Sequence, residues 1–300
     1  MLSPSRSGAP TALGFLRLVL PELSCAVVFL VLAASLGELA IPYNSVFYEQ
    51  DPSLSRERFN ATIPTWLLGL LCAALPGVVL LALGVASRRS RGAACGLPLV
   101  GLALSLTSTM LATDAVKNFV GSKRPNFFDL CAYAGYAAAI GTRNATSQEW
   151  RSYQSATLFG APGSLGKCTA SAAAVRDAQR SFPSGHSSLS FAGLFYLALS
   201  LRQFAGVRAG DWLSPAAVAC GSPLALATYV AATRVRDNYH REIDVAVGAA
   251  LGVALALASW ATLRARHGGR LPPPLWGGKG AADEEGGADG WGGGAPTGSV

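Results

Sequence analysis

Apolar residues run along this chain in six blocks, each close to the roughly 20 residues that a helix needs to cross a bilayer. The blocks cover residues 23–42, 65–86, 96–116, 184–201, 214–233 and 244–263. None shows the charge every few positions that marks the outer face of a soluble amphipathic helix. The pattern predicts an all-α integral membrane bundle of six transmembrane helices, with one sizeable loop, 126–181, between the third and fourth. The first block is followed by five more and lacks a convincing cleavage site, so it reads as a span rather than a signal peptide. On this reading residues 1–22 form a cytoplasmic N-terminal segment and 23–263 the membrane domain. Residues 264–300, which become rich in Gly, Pro and acidic residues after Arg270, read as a disordered cytoplasmic tail. The loop 126–181 mixes Gly, Ala, Ser and Thr without strong periodicity and reads as a partly ordered cap.

Composition agrees. Of 300 residues 51% are apolar and only 14% charged, with a mean hydropathy of +0.35. A soluble domain carries about 25% charge, so too little polar surface is left to cover a water-exposed globule. The net charge of +7 would suit nucleic acid, but the basic residues sit in short clusters between apolar blocks, as membrane-flanking loops do. Arg88, Arg89 and Arg91 follow the second block, Arg202 and Arg208 the fourth, and Arg264, Arg266 and Arg270 the sixth. Counting blocks puts these clusters and both termini on one side, which the positive-inside rule makes cytoplasmic. The loops after the first, third and fifth blocks then face the lumen or exterior of a plasma or endoplasmic-reticulum membrane. The sequons Asn60-Ala61-Thr62 and Asn144-Ala145-Thr146 fall on that side, making the chain a candidate glycoprotein, with Asn144 the better placed. The six cysteines contain no CxxC or CxxH pair. Cys131 and Cys168 share the long loop and can pair if it faces an oxidising compartment.

Charge is scarce, so its placement carries information. Lys117 and Arg124 follow the third block, seven residues apart, and share a helix face if the helix continues to Pro125. Interfacial anchoring would put such positives on the cytoplasmic side; here they lie opposite, which points to an anionic ligand. Ser181-Phe-Pro-Ser-Gly-His186 leads into the fourth block. Pro183 and Ser184 make a helix start, whose free backbone N–H groups attract anions, and Gly185 allows close approach. Between the fifth and sixth blocks lie Arg234, His240 and Asp244. His240 and Asp244 are four positions apart, so on a helix the carboxylate can reach one ring nitrogen and fix the tautomer. His267 reads as ordinary basic flank. Each cluster alone has a bland structural reading; together, cations, two histidines and an aspartate at one face suit phosphoryl chemistry.

The three clusters resemble the signature of the lipid phosphate phosphatases (the type 2 phosphatidic acid phosphatase superfamily), KxxxxxxRP, PSGH and RxxxxxHxxxD. Lys117, Arg124 and Pro125 match the first, Pro183 to His186 the second, and Arg234, His240 and Asp244 the third. The resemblance implies that His240 attacks phosphorus to form a phosphohistidine, oriented by Asp244. It implies that His186 protonates the leaving oxygen, and that Lys117, Arg124, Arg234, Ser184 and Gly185 hold the phosphate. It also implies no metal or other cofactor, and the sequence has no carboxylate cluster suited to Mg²⁺, Asp114, Asp237 and Glu242 being scattered. The expected partners are membrane lipids and an amphiphilic monoester such as phosphatidate, lysophosphatidate or a sphingoid phosphate, and not nucleic acid. The alternatives are a polyprenyl-diphosphate phosphatase, a lipid phosphotransferase, or a catalytically silent lipid-binding relative. A silent relative would have lost catalytic residues, and His186, Arg234 and His240 are all present here. A channel or transporter would be expected to carry charge near mid-span. Gly248 and Gly252 read as internal packing or, less simply, as a seam between two copies.

Overall fold

The computed structural model describes residues 12–49, 51–87, 91–134, 136, 161–208, 210–211 and 213–268. The Asn144 sequon, Arg88, Arg89, Arg270 and the tail from 269 lie outside the described residues. Among those described there are six long helices and no named strand: α1 (Ala12–Leu39), α2 (Thr65–Ala86), α3 (Arg91–Val120), α4 (Gly185–Ala205), α5 (Pro215–Arg236) and α6 (Glu242–His267). All except α4 are long and apolar enough to cross a membrane, which makes this a multi-pass membrane protein. The outward faces fit a lipid environment: Leu16, Val27 and Val31 of α1, Val78 of α2 and Val218 of α5 are exposed.

Helix α4 falls short of that apolar standard for a physical reason. It is the central helix, in contact with α2, α3, α5 and α6, and its Ser187, Ser188, Ser190 and Ser200 are buried. A helix screened by its neighbours faces protein rather than lipid, so its side chains can be polar provided they are bonded. Ser187 Oγ donates to the Val245 carbonyl at 2.7 Å, and Ser188 Oγ lies 2.9 Å from Thr113 Oγ1. The tightest partnership is α4 with α6. Gly248 and Gly252 face α4, where a Cβ on Gly248 would sit 2.6 Å from the Ser184 carbonyl oxygen and one on Gly252 would overlap that of Ser188. The GxxxG spacing therefore serves packing inside the bundle.

Helix α1 lies at the edge and packs on α3. It begins at Ala12, well before the predicted start of the first span, and runs through Pro21 and Glu22. Glu22 is buried in this helix because two side chains at the end of α6 meet its carboxylate: the His267 ring, through Nε2 at 3.0 Å, and the Arg266 guanidinium, through Nη1 at 3.2 Å. The expectation that His267 is mere basic flank is corrected; it is 3% exposed and staples α6 to α1.

The described flanks of the long loop fold into a small cap with its own core. Phe47 from the α1–α2 connection packs edge-on against Phe127, with ring centroids 4.9 Å apart, and Phe128, Tyr133 and Tyr136 complete the cluster. A disulfide joins Cys131 to Cys168. Lys123 is buried beneath the cap and bonds Asn44 Oδ1 at 3.1 Å and Gln179 Oε1 at 3.2 Å, tying three segments together. Burial lowers its ammonium pKa to about 8.

The α4–α6 contact yields a direct test. Gly252→Leu must push the two helices apart and is expected to cost at least about 1–3 kcal/mol of packing. The expected result is a lower thermal midpoint in detergent and loss of the site that both helices begin; an unchanged midpoint would contradict the packing described here.

Candidate active site

Helices α4 and α6 start at the same end of the bundle, and α3 and α5 finish there, so four helix ends meet at one cavity. Its volume is about 420 Å³, and its lining includes Lys117, Arg124, His186, Arg234 and His240, with Gly185 at the α4 start. The three sequence clusters are therefore brought together. Leu68, Met110 and Leu189 line the same cavity with apolar surface.

Lys117 lies in the last turn of α3. A Cβ on Gly185 would sit 3.4 Å from its ammonium nitrogen, so the helix start and the cation are close neighbours. The single helical face expected for Lys117 and Arg124 does not form. Helix α3 stops at Val120, and Gly121, with φ +59, turns the chain away, since a left-handed residue ends a helix and glycine adopts it without a Cβ penalty. Arg124 arrives from the following loop. Its Nε donates to the Asp177 carbonyl at 2.9 Å and its Nη2 to Asp177 Oδ1 at 2.6 Å. Its Nη1 lies 3.4 Å from His240 Nε2.

That last contact assigns the His240 tautomer. A guanidinium offers only N–H donors, so the facing ring nitrogen must present its lone pair, and the proton sits on Nδ1. Nδ1 points toward Asp244 Oδ2 but at 3.7 Å, longer than a hydrogen bond. The helical four-residue contact is looser than expected because His240 precedes α6, which begins at Glu242. Oδ2 instead accepts from Ser181 Oγ at 2.6 Å and from the Arg241 backbone N–H at 3.0 Å. Burial holds the His240 pKa below its ordinary value against the pull of Asp244, and the Arg124 and Lys117 cations push the same way.

Ser184 is the N-cap of α4, its hydroxyl accepting from the Ser187 N–H, and it is fully buried. Its side chain serves the cap and does not line the cavity, whereas Gly185 and His186 do. His186 Nε2 lies 3.0 Å from the Ile63 carbonyl. A carbonyl only accepts, so this nitrogen carries a proton and Nδ1 is left to exchange one with a ligand. The same carbonyl accepts from Arg234 Nη1 at 3.4 Å. Arg234 is buried, with its guanidinium carbon 4.3 Å from the centre of the Tyr239 ring, a cation–π contact.

Several contributors carry no signature letter. Asp237 accepts from the Thr62 N–H at 2.7 Å and from its hydroxyl at 2.9 Å, which pins Ile63 where His186 and Arg234 need it. Arg58 Nε donates to the Tyr239 hydroxyl at 3.2 Å. Asp177 lines the cavity beside Arg124; its only sequence signal is that it is the one acidic residue between Glu149 and His186. Its partial desolvation at the cavity edge disfavours the carboxylate, yet the Arg124 and Lys117 cations hold its pKa below the ordinary value, so it is an anion at neutral pH. Among the described residues no three His, Cys, Asp or Glu side chains gather as a metal-ligand group.

A multi-pass helical fold with a cavity lined by three cationic side chains and two histidines defines a membrane protein with a site suited to an anion. The PAP2 superfamily profile matches residues 98–267, and the chain belongs to that superfamily. It is 30% identical to the probable diacylglycerol pyrophosphate phosphatase 1 of Schizosaccharomyces pombe, over 73% of this chain and 71% of that protein. It is 32% identical to lipid phosphate phosphatase 2 of Arabidopsis thaliana, over 65% of this chain and 60% of the relative. It is 29% identical to diacylglycerol pyrophosphate phosphatase 1 of Saccharomyces cerevisiae, over 72% and 69%.

The lowered pKa of His240 has a definite sign. An imidazole whose folded pKa lies below its ordinary value stays neutral as pH falls through about 6.5. Nuclear magnetic resonance of histidine-labelled, ligand-free protein is expected to find His240 still neutral at about pH 6.5. A midpoint above that value would contradict the electrostatic account.

Proposed function

We propose that this chain is a membrane lipid phosphate phosphatase that hydrolyses amphiphilic phosphate monoesters through a phosphohistidine on His240. The observation that carries the reading is the meeting of His240 Nε2, which turns its lone pair toward Arg124, with the cations Lys117, Arg124 and Arg234 around one cavity. In the first step that lone pair forms a bond to phosphorus while the ester P–O bond breaks. The leaving oxygen takes a proton from His186 Nδ1, the ring being doubly protonated in the substrate complex, where the phosphate anion offsets its charge. In the second step water attacks phosphorus, gives its proton to His186, and the N–P bond returns its electron pair to His240. The three cations and the backbone N–H groups at the start of α4 stabilise charge on the equatorial oxygens. Asp244 orients and steadies the His240 imidazole. No metal ion takes part in this scheme; cationic side chains supply the charge a metal would.

The cavity's apolar portion, Leu68, Met110 and Leu189, favours a substrate with a hydrocarbon part over a free sugar phosphate. Two of the relatives are named for diacylglycerol pyrophosphate and one for lipid phosphate, and phosphatidate is the monoester that shares their lipid body. In this reading all six long helices span the bilayer and the site faces away from the cytoplasm. Three features support that side. Arg202, Arg264 and Arg266 lie at the last turns of helices that begin at the site, about 30 Å away. Cys131 and Cys168 are joined near the site, and disulfides belong to oxidising compartments. Asn60 of the first sequon is exposed at the same end.

The test is phosphate release from short-chain phosphatidate in detergent with excess EDTA, for wild type and His240→Ala. Release by the wild type and a loss of at least about a thousandfold in the variant is expected. A wild type that cleaves neither phosphatidate nor a polyprenyl diphosphate would overturn the hydrolase reading in favour of a lipid-binding protein.

A further inference from the structure

Arg124 comes from a loop, so no helix of its own fixes its side chain. What fixes it is a pair of consecutive residues in the cap. The Arg124 backbone N–H donates to the Ala178 carbonyl at 2.9 Å, Nε to the Asp177 carbonyl, and Nη2 to the Asp177 carboxylate. Two in-plane bonds to one partner set both the position and the plane of a guanidinium, because its donors form a rigid fork. The remaining edge, Nη1, is thereby left against His240 Nε2, where a transferred phosphoryl group must arrive.

A carboxylate in a cavity built for phosphate calls for an explanation. It weakens the positive potential and competes for the same cation. Ordinary charge compensation would be satisfied by an exposed ion pair, worth little. Here the Arg124 side chain is 7% exposed while that of Asp177 is 52% exposed. The pair is therefore solvated on the Asp177 side and buried on the Arg124 side. Water reaches the carboxylate, and the guanidinium is left with its orientation.

We propose that Asp177 is a positioning residue for the phosphoryl transfer, holding Arg124 so that Nη1 meets the equatorial oxygens as they gain charge over His240. Asp177 itself touches no reacting atom. The helix that carries it, Ala172–Ala178, packs on the short helix Phe127–Leu130, which follows Arg124 directly. The Cys131–Cys168 disulfide joins the same two arms. The cap thus has a part in catalysis through one carboxylate.

The proposal rests on the phosphatase reading, and its test separates the two. Asp177→Ala is expected to lower kcat by about tenfold to a hundredfold, the range for a misplaced catalytic group, with KM changed less than about threefold. Affinity for orthovanadate, which takes the five-coordinate geometry, falls in parallel with kcat, while affinity for orthophosphate changes less than about threefold. In an Arg124→Ala background, adding Asp177→Ala costs less than about threefold more in orthovanadate affinity, because the group being positioned is gone. Asp177→Asn keeps an acceptor oxygen for Nη2 and is expected to retain kcat within about fivefold, which also serves should the alanine variant fail to fold. Multiplying losses for the two single variants would overturn the proposal, as would equal losses for orthovanadate and orthophosphate, or an asparagine variant as impaired as alanine. A wild type that binds orthovanadate yet releases no phosphate would sink the phosphatase reading alone; the orthovanadate cycle would still decide whether Asp177 positions Arg124.

Discussion

The Ser184 N–H donates to the Asp244 carbonyl at 2.9 Å, and Ser181 Oγ donates to the Asp244 carboxylate at 2.6 Å. These two bonds sew the start of α4 to the start of α6, and Gly248 lets the helices run on at that separation. Two of the three sequence clusters are joined there by main-chain contact. The third, on α3 and its following loop, is drawn in by the packing of α3 on both α4 and α6. The polar serines of α4 follow from this arrangement: a central helix whose neighbours shield it can spend its surface on bonds to them.

Gathering Lys117, Arg124 and Arg234 in one partly dry cavity carries a desolvation cost that only partners or a ligand can offset. The partners are of different kinds. Arg124 has the Asp177 carboxylate, Arg234 has the Tyr239 ring and the Ile63 carbonyl, and Lys117 faces the free end of α4. The site's polar groups also fix the tautomers of both histidines. A guanidinium beside His240 Nε2 puts the lone pair there and the proton on Nδ1, while the Ile63 carbonyl holds the His186 proton on Nε2 and leaves its lone pair on Nδ1.

The helices were legible because a bilayer sets their length and an apolar run of that length has few other uses. Of the six, α4 is the helix whose composition fell short, and it was still found by its place in the order of blocks. Helix α1 started earlier than its sequence implied because Glu22 has partners at the far end of the chain, 245 residues away. The cations, histidines and aspartate of the site were legible because each is a rare letter in an apolar chain. Arg124 was misplaced on a helix because the positive φ of Gly121 cannot be read from a glycine alone. Ile63 was invisible because it acts through its carbonyl, which every residue has. Asp177 was invisible because its partner lies 53 residues away across a loop without periodicity.

The central claim is that nitrogen of His240 becomes bonded to phosphorus during turnover, and trapping that bond tests it most directly. Wild-type protein mixed with phosphate-radiolabelled phosphatidate and quenched in alkali within milliseconds should yield label on the peptide bearing His240. That label should be stable to alkali and released by acid, as a phosphoramidate is. Steady turnover with no trapped label, or label recovered from a different residue, would contradict the account.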